Sequence, residues 1–222
     1  MQVNMFNNNY NNRDKNISFK KIVRNDIASK TLKDNKYLLL VSGPSGVGKD
    51  SIMNQIMNKF NKIVTHTTRP KRAGEVDGKS YFFTTVDKFK EGIKNNEFVE
   101  YIEGFSGKYY GTKKETIKNA LNGEKPALAI VDVDGAKNIR DNLKNDPQIN
   151  VVSIFFRPPS KEPLKVLESR LNKRGSETAE SIKTRLQRAE YEINRAKEYD
   201  AEIEVNNVEE SLNDIYKLLN LD

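Results

Sequence analysis

The chain has 222 residues and a formal net charge of +7; 36% of its residues are hydrophobic and 31% are charged. This length suits one globular domain with an appendage, or two small domains, and the apolar content is sufficient for a core. Because the chain has no cysteine and one histidine, His66, the sequence excludes disulfides, thiolate catalysis, zinc fingers and multi-histidine metal sites.

The first 35 residues differ in composition from the rest of the chain. Asparagines crowd residues 1–16 without apolar periodicity, so this segment cannot bury enough apolar surface to offset an ordering entropy of roughly 1–2 kcal/mol per residue. We expect residues 1–35 to be a largely disordered extension, in which 17–34 could hold a short helix. Aspartates and the asparagine excess argue against a transit peptide, and no apolar run resembles a secretory signal or a membrane span. We expect a cytoplasmic protein without a membrane partner.

From residue 36 onward, the apolar pattern predicts alternating strands and helices. Tyr37–Val41 is a continuous apolar run, as expected for a parallel strand that is covered on both faces. A glycine-rich turn leads from it into a helix with Ile52, Ile56 and Phe60 on one face. Similar apolar runs predict further strands at 127–133, 151–156 and 202–205.

Two helices are predicted in the C-terminal part of the chain. Ser160 follows two prolines and is a candidate N-cap for a helix that runs through Arg170. Apolar residues at helical spacing predict a longer helix over 181–199. Together with the strands, these helices predict an α/β fold around a parallel sheet.

The turn after the first strand has the spacing of a phosphate-binding P-loop, GPSGVGK. Its members are Gly43, Pro44, Ser45, Gly46, Val47, Gly48 and Lys49. The glycines let the backbone direct several N–H groups at one anion, the following helix N-terminus adds partial positive charge, and Lys49 can bridge the outer phosphates. We therefore favour an ATP or GTP site over a turn whose glycines serve shape alone.

The position after Lys49 departs from the usual P-loop pattern. A serine or threonine hydroxyl normally reaches Mg²⁺ from this position, whereas this chain has Asp50, and Ser51 comes one residue later. Both side chains are therefore candidate Mg²⁺ ligands. Asp50 also has a simpler role as an acidic residue in the first turn of a helix.

Residues 64–112 are aromatic and rich in turns, which predicts a small β lobe inserted in the α/β core. Arg69 and Arg72 stand beside a turn, and Glu75 follows three residues after the second arginine. Two guanidinium groups in this arrangement suit a dianion, and the carboxylate can orient one of them. The Tyr81 hydroxyl can donate a further hydrogen bond, and the segments downstream supply another carboxylate and another phenol.

Several motifs, in this order, resemble those of the guanylate kinase family: GPSGVGK, TTRPKRAGEVDGKSY, NNEFVEY, SGKYYGT, DVD and LNKRGSET. The resemblance implies a domain over 36–222 with a P-loop NTPase core, a β-rich GMP-binding lobe at about 64–115 and a helical lid at about 157–187. It also implies phosphoryl transfer from ATP to GMP, with Mg²⁺ as cofactor.

The resemblance implies a role for individual residues of the acceptor site. The GMP phosphate would be held by Arg69, Arg72, Tyr81 and Tyr110 with support from Glu75, and the guanine by Glu100, Thr65 and Thr112, with Asp132 and Asp134 nearby. Guanine presents two adjacent donors, N1–H and the N2 amine, and the ionised carboxylate of Glu100 can accept both. Adenine offers no such pair, so a site of this kind discriminates strongly between the two bases.

On the donor side, the resemblance implies that a mobile lid delivers arginines and excludes water. The lid arginines would be Arg170, Arg174 and Arg185, and the adenine-contact loop would hold Asn206 and Asn207. Among all these residues, Lys49, Arg72, Arg174 and Arg185 are the candidates that stabilise the transferring phosphoryl group.

Alternatives to this enzyme are a protein-binding scaffold domain and a kinase for another nucleoside monophosphate. Guanylate-kinase-like scaffold domains typically lose the P-loop, which this chain keeps, and Glu100 argues against another nucleotide acceptor. The basic charge also suits nucleic acid or a lysine-rich solvated surface. Because the arginines occur in short clusters among tyrosines and glycines, we expect small phosphorylated ligands and no nucleic-acid partner.

Overall fold

The computed structural model of the protein describes residues 21–23, 27, 37–103, 107–175 and 178–221. The strands, in chain order, are β1 (Lys21–Val23), β2 (Tyr37–Ser42), β3 (Asn61–Lys62), β4 (His66–Thr67), β5 (Phe82–Phe83), β6 (Phe98–Glu103), β7 (Tyr109–Lys113), β8 (Ala127–Ile130), β9 (Asn150–Arg157) and β10 (Ala201–Glu204). The helices that shape the fold are α1 (Lys49–Ile56), α2 (Val86–Lys94), α3 (Lys114–Leu121), α4 (Val133–Leu143), α5 (Pro163–Arg174), α6 (Ala179–Asn194) and α7 (Val208–Leu219). Within the described ranges, no helix has the length and apolarity needed to cross a bilayer.

The core is a six-stranded sheet in the order β1–β10–β9–β2–β8–β3. Its strands run parallel, except that β1 pairs antiparallel with β10. The central strand β2 is buried along its whole length. Leu39 and Val41 pack in the same cluster as residues of α1 and α7, and Leu38 and Leu40 pack in a second cluster with residues of α4. The predicted α/β fold with a parallel sheet is confirmed.

A second sheet, in the order β5–β4–β7–β6, forms the small lobe. Phe89, Phe98 and Tyr109 form a separate cluster in this lobe, and the rings of Phe89 and Phe98 stack at 4.3 Å between centroids. The lobe therefore has a small core of its own. The boundaries of about 64–115 for the lobe and about 157–187 for the lid stay predictions.

Three predicted element boundaries are wrong. The strand predicted at 127–133 ends at Ile130, because the Asp132 carboxylate accepts a hydrogen bond from the Gly135 amide at 2.7 Å and caps α4. The helix predicted over 181–199 ends at Asn194 and is followed by a 3₁₀ turn. The helix predicted to carry Phe60 ends at Ile56, although Phe60 is buried beyond it.

Ser160 is not the N-cap that its position predicts. Helix α5 begins at Pro163, which suits the first helical turn because it lacks an N–H group. Ser160 instead donates its amide and its hydroxyl to the Glu204 carboxylate at the end of β10. These hydrogen bonds tie the first residues of the predicted lid to the core sheet.

The helix predicted within 17–34 is wrong at Lys21–Val23, which form β1. This strand pairs with β10 and covers what would otherwise be the open edge of the core sheet. Ile27 is 2% exposed and belongs to the main core cluster. Most of residues 1–35 lie outside the described residues, so the largely disordered extension stays a prediction.

We expect two N-terminal deletions to behave differently. Deleting residues 1–16 removes no described contact and should leave thermal stability and kcat/KM unchanged. Deleting residues 1–35 also removes β1 and the buried Ile27 side chain, which should lower stability by about 2–5 kcal/mol. Turnover of the folded truncation should stay within tenfold, because no described residue of this segment lines the acceptor cavity. Denaturant unfolding and steady-state kinetics of both truncations test this, and a larger loss of turnover would contradict it.

Candidate active site

The P-loop joins the carboxyl end of β2 to α1. Gly46 and Gly48 have φ values of 83° and 110°, a region that favours glycine. Gly43 is packed so closely that a β-carbon would collide with the Phe156 carbonyl oxygen. Only a residue without a side chain lets the loop approach β9 in this way, so the glycine spacing has a steric cause.

Lys49 lies under this loop at the start of α1. Its Nζ donates to the carbonyl oxygens of Gly43 and, at 3.1 Å, Pro44. Burial lowers the pKa of Lys49, while the carboxylates of Glu192 and Asp50 act in the opposite direction. The lysine is therefore held inside the loop, where a phosphate group would take the place of the two carbonyl contacts.

The arginines predicted to form the lid contact the P-loop in two ways. Arg185 of α6 donates to the Ser45 hydroxyl at 2.7 Å. Arg170 of α5 donates to the carbonyl oxygens of Val47, at 2.8 Å, and Val205, at 2.9 Å. Arg170 thus links the P-loop to the end of β10, whereas Arg185 contacts the Ser45 side chain of the P-loop. The side chain of Arg174 lies outside the described part of the chain, so its role stays a prediction.

A cavity of about 630 Å³ opens between α1, the end of β8 and the small lobe. The predicted site residues that line it are Asp50, Thr65, Tyr81, Glu100, Tyr110 and Asp132. Parallel strands end at the same edge of the sheet, so the P-loop after β2 and Asp132 after β8 lie side by side. The structure therefore brings Asp50, which follows the P-loop, and half of the predicted GMP-binding residues to one cavity.

Glu100 is the buried carboxylate of this cavity. Its side chain is 7% exposed, and Oε1 accepts a hydrogen bond from the Thr112 hydroxyl at 2.7 Å. Burial raises the pKa of Glu100 to about 7, and the nearby Asp132 carboxylate acts in the same direction. A buried carboxylate at the wall of a cavity has a desolvation cost that a ligand with matching donors can relieve.

Arg69 and Glu75 form a bidentate ion pair in the small lobe. The two guanidinium nitrogens donate to the two carboxylate oxygens at 3.0 and 2.6 Å, and the Arg72 amide donates to Glu75 at 2.8 Å. The hydrogen bond from Arg69 lowers the pKa of Glu75 to about 2. The Arg69 guanidinium also lies 5.2 Å from the centre of the Tyr81 ring. Glu75 therefore holds the Arg69 guanidinium beside the Tyr81 ring.

Asp134 makes different contacts from those expected of a GMP ligand. Its carboxylate pairs with Arg188 at 2.5 Å and with Arg195, and it accepts the Tyr191 hydroxyl at 2.8 Å. It is not among the described residues that line the cavity. The carboxylate joins the start of α4 to α6, so a role in binding GMP stays a prediction.

Asn207 caps a helix, a role that the family resemblance does not imply. Its side-chain oxygen accepts the Glu210 amide at 2.8 Å at the start of α7, whereas Asn206 is exposed beside it. Contact of either asparagine with adenine stays a prediction.

Sequence reasoning missed Lys62 and Ser80, which also line the cavity, and Glu192, which is 8% exposed and pairs with Arg188 at 3.4 Å. Only Glu192 has a signal in the sequence, because it lies between Ala189 and Ile193 on the apolar stripe of α6.

Comparisons with known proteins agree with this geometry. The guanylate kinase family model matches residues 35–221. The chain is 38% identical over 191 residues to a guanylate kinase of Prochlorococcus marinus, covering 85% of this chain and 99% of that protein. It is 40% identical over 169 residues to a guanylate kinase of Nostoc sp., covering 75% and 80%. A crystal structure of guanylate kinase from Anaplasma phagocytophilum matches with a TM-score of 0.64 and 29% identity, covering 85% and 86%. The chain belongs to the guanylate kinase family.

Proposed function

We propose that the protein transfers a phosphoryl group from ATP to GMP and yields ADP and GDP. The observation that carries this proposal is the buried Glu100 carboxylate in a cavity that opens beside the P-loop. Guanine can satisfy that carboxylate with two parallel hydrogen bonds from N1–H and N2, and adenine cannot. Membership of the guanylate kinase family supports the same two substrates, ATP and GMP.

On the donor side, the P-loop amides and Lys49 would hold the outer phosphates of ATP. Phosphoryl transfer passes through a loose transition state with charge spread over the moving group, so placement and electrostatics supply most of the catalysis. Lys49 and Arg185 are cations that contact the loop in this structure. Arg185 already touches Ser45, so a small movement of α6 would bring its guanidinium to a bound phosphate.

On the acceptor side, Glu100 would take the guanine while the Tyr81 and Tyr110 hydroxyls bind the phosphate with Arg69 and Arg72. The Thr112 hydroxyl fixes one oxygen of Glu100 and so orients the carboxylate. No general base is needed, because the attacking atom is an oxygen of a phosphate that is already ionised. The residues therefore act by binding and aligning the acceptor.

The donor set at the P-loop fits Mg²⁺. Among the described residues, no cluster of three or more acidic, histidine or cysteine side chains could hold a metal alone. Mg²⁺ in phosphotransferases is usually held by one or two side chains together with substrate phosphates and water. Asp50 is exposed in the first turn of α1 and lines the cavity, and Ser51 follows it. When bound, the metal would neutralise charge on the ATP phosphates.

We expect Asp50→Ser to alter the dependence of ATP binding on Mg²⁺. A carboxylate about 4 Å from a phosphate charge is repelled by on the order of 4 kcal/mol at an effective dielectric near 20, unless a cation lies between them. The serine variant should therefore bind metal-free ATP more tightly and need a different free Mg²⁺ concentration for half-maximal ATP affinity.

Calorimetric titration of ATP with EDTA and across a Mg²⁺ series measures the effect of this substitution. Asp87→Ser, in the first turn of α2 and away from the cavity, is the matched control. Superimposable curves for wild type and Asp50→Ser would show that Asp50 points away from the phosphates.

A coupled assay of ADP release tests the proposed function directly. We expect GMP-dependent ADP release with ATP and Mg²⁺, and far weaker release with AMP. A protein that binds GMP without releasing ADP would be a binding module, and equal rates with both nucleotides would show that Glu100 does not select guanine. We also propose a cytoplasmic location, where both substrates are available.

A further inference from the structure

Lys62 is a cation in the acceptor cavity to which the family resemblance gives no role. It ends β3 at the edge of the core sheet and lines the cavity beside Ser80 and Tyr81 of the small lobe. Its Nζ donates to the Lys79 carbonyl oxygen at 3.4 Å, where a hydrogen bond is weak. An ammonium group has three donors, so Lys62 has donors available for a ligand.

The other charges at the wall of the cavity are negative. Asp50, Glu100 and Asp132 line it, and among the described lining residues Lys62 alone carries a positive charge. A nucleoside monophosphate brings a phosphate with close to two negative charges at pH 7. The carboxylates repel this group, so its entry requires cations that face the cavity.

The buried arginine of the predicted phosphate site is largely engaged inside the protein. Arg69 donates to both oxygens of Glu75 and to the Pro70 carbonyl oxygen at 2.7 Å. Neither Arg69 nor Arg72 is among the described residues that line the cavity in this conformation. Much of the Arg69 charge is therefore balanced by Glu75, and Lys62 is the cation that the structure places at the wall of the cavity.

We propose that Lys62 is a further acceptor-binding residue and that its ammonium group contacts the phosphate of the bound nucleoside monophosphate. This inference rests on the proposed phosphorylation of GMP and adds a cation to that site. Because Lys62 belongs to the core sheet and Tyr81 to the small lobe, one phosphate would be held from both sides of the cleft.

The test compares GMP with guanosine, which has the same base and ribose but no phosphate. We expect Lys62→Met to weaken GMP binding by about fivefold to twentyfold, the scale of a charge-assisted hydrogen bond at a partly solvated site. Guanosine binding should stay within twofold of wild type. Isothermal titration of each ligand in the absence of ATP measures both values, and Lys62→Arg should retain most of the GMP affinity.

Lys79→Met is the matched control, because this exposed lysine lies beside Lys62 without lining the cavity; both ligands should bind it as they bind wild type. An unchanged GMP affinity in Lys62→Met, or an equal loss for GMP and guanosine, would overturn the proposal. Failure of the proposed function is distinguishable, since it would appear as absent GMP phosphorylation in the wild-type protein.

Discussion

Lys49→Met should lower kcat for GMP phosphorylation by about 10²- to 10³-fold, the loss seen when one preorganised donor to a developing charge is removed. The structure places the Lys49 ammonium inside the P-loop, bonded to the carbonyl oxygens of Gly43 and Pro44. A bound phosphate would replace these contacts, and the lysine would then lie beside the group in transfer. Methionine has a similar length and shape but no charge, so the loop keeps its packing.

The measurement is steady-state kinetics with ATP and GMP varied separately, together with thermal unfolding to establish that the variant is folded. We expect the KM for GMP to change less than threefold, because Lys49 is not among the described residues that line the acceptor cavity. Lys118→Met, on the exposed face of α3, is the control and should match wild type. If the folded Lys49→Met protein keeps a kcat within tenfold of wild type, Lys49 does not stabilise the transferring phosphoryl group.

The P-loop and the central strand could be predicted because each depends on local sequence. A continuous apolar run at Tyr37–Val41 identifies a strand that is buried on both faces. The spacing of Gly43, Gly46 and Gly48 reflects backbone conformations and a close approach that other residues do not tolerate. These signals lie within a few residues of the feature that they predict.

The errors arise where a side chain finds a partner that the local pattern does not reveal. Asp132 shortens a strand because it caps the next helix, and Ser160 bonds to Glu204 instead of starting a helix. The partners of Asp134 are equally distant, since Arg188 and Arg195 are 54 and 61 residues away in the sequence, although its predicted role in binding GMP stays a prediction. Such contacts are set by the tertiary fold, and a single sequence does not display them.

The cavity lining shows the same limit of sequence reasoning. Lys62 belongs to no sequence motif, and it lines the cavity because it ends the edge strand β3, close to Ser80 and Tyr81 of the small lobe. Sequence motifs predict the main chemical groups of the site. Which further side chains lie close enough to bind the ligand depends on the tertiary fold.

Glu100→Gln should lower kcat/KM for GMP by about 10- to 150-fold, which corresponds to about 1.5–3 kcal/mol for a hydrogen bond to a charged group. The side-chain amide of glutamine offers one acceptor group and one donor group. Its NH₂ group would therefore face one of the two guanine N–H groups, and that hydrogen bond would be lost. The loss should be far smaller for AMP, because adenine does not present that pair of donors. Glu97→Gln is the control, since Glu97 pairs with Lys113 and does not line the acceptor cavity.

The pH dependence separates this role from a structural one. Burial raises the pKa of Glu100 to about 7 in the free protein, so the carboxyl group is protonated below that pH. A protonated carboxyl cannot accept both guanine donors, and GMP binding near pH 7 must therefore release a proton. We expect kcat/KM for GMP to fall as the pH drops through about 7 and to level off above it. A phosphate ester has its own ionisation near pH ~6, which wild type and variant share.

Glu100→Gln has no group that titrates at this position, so the decline near pH 7 should disappear and leave only the decline near pH 6. Calorimetry of GMP binding at pH 7 in two buffers of different ionisation enthalpy should show proton release in wild type, and less of it in the variant. An identical pH profile and identical proton release in both proteins would show that Glu100 does not bind the base in its ionised form. Equal losses for GMP and AMP would show instead that the side chain only supports the fold of the lobe.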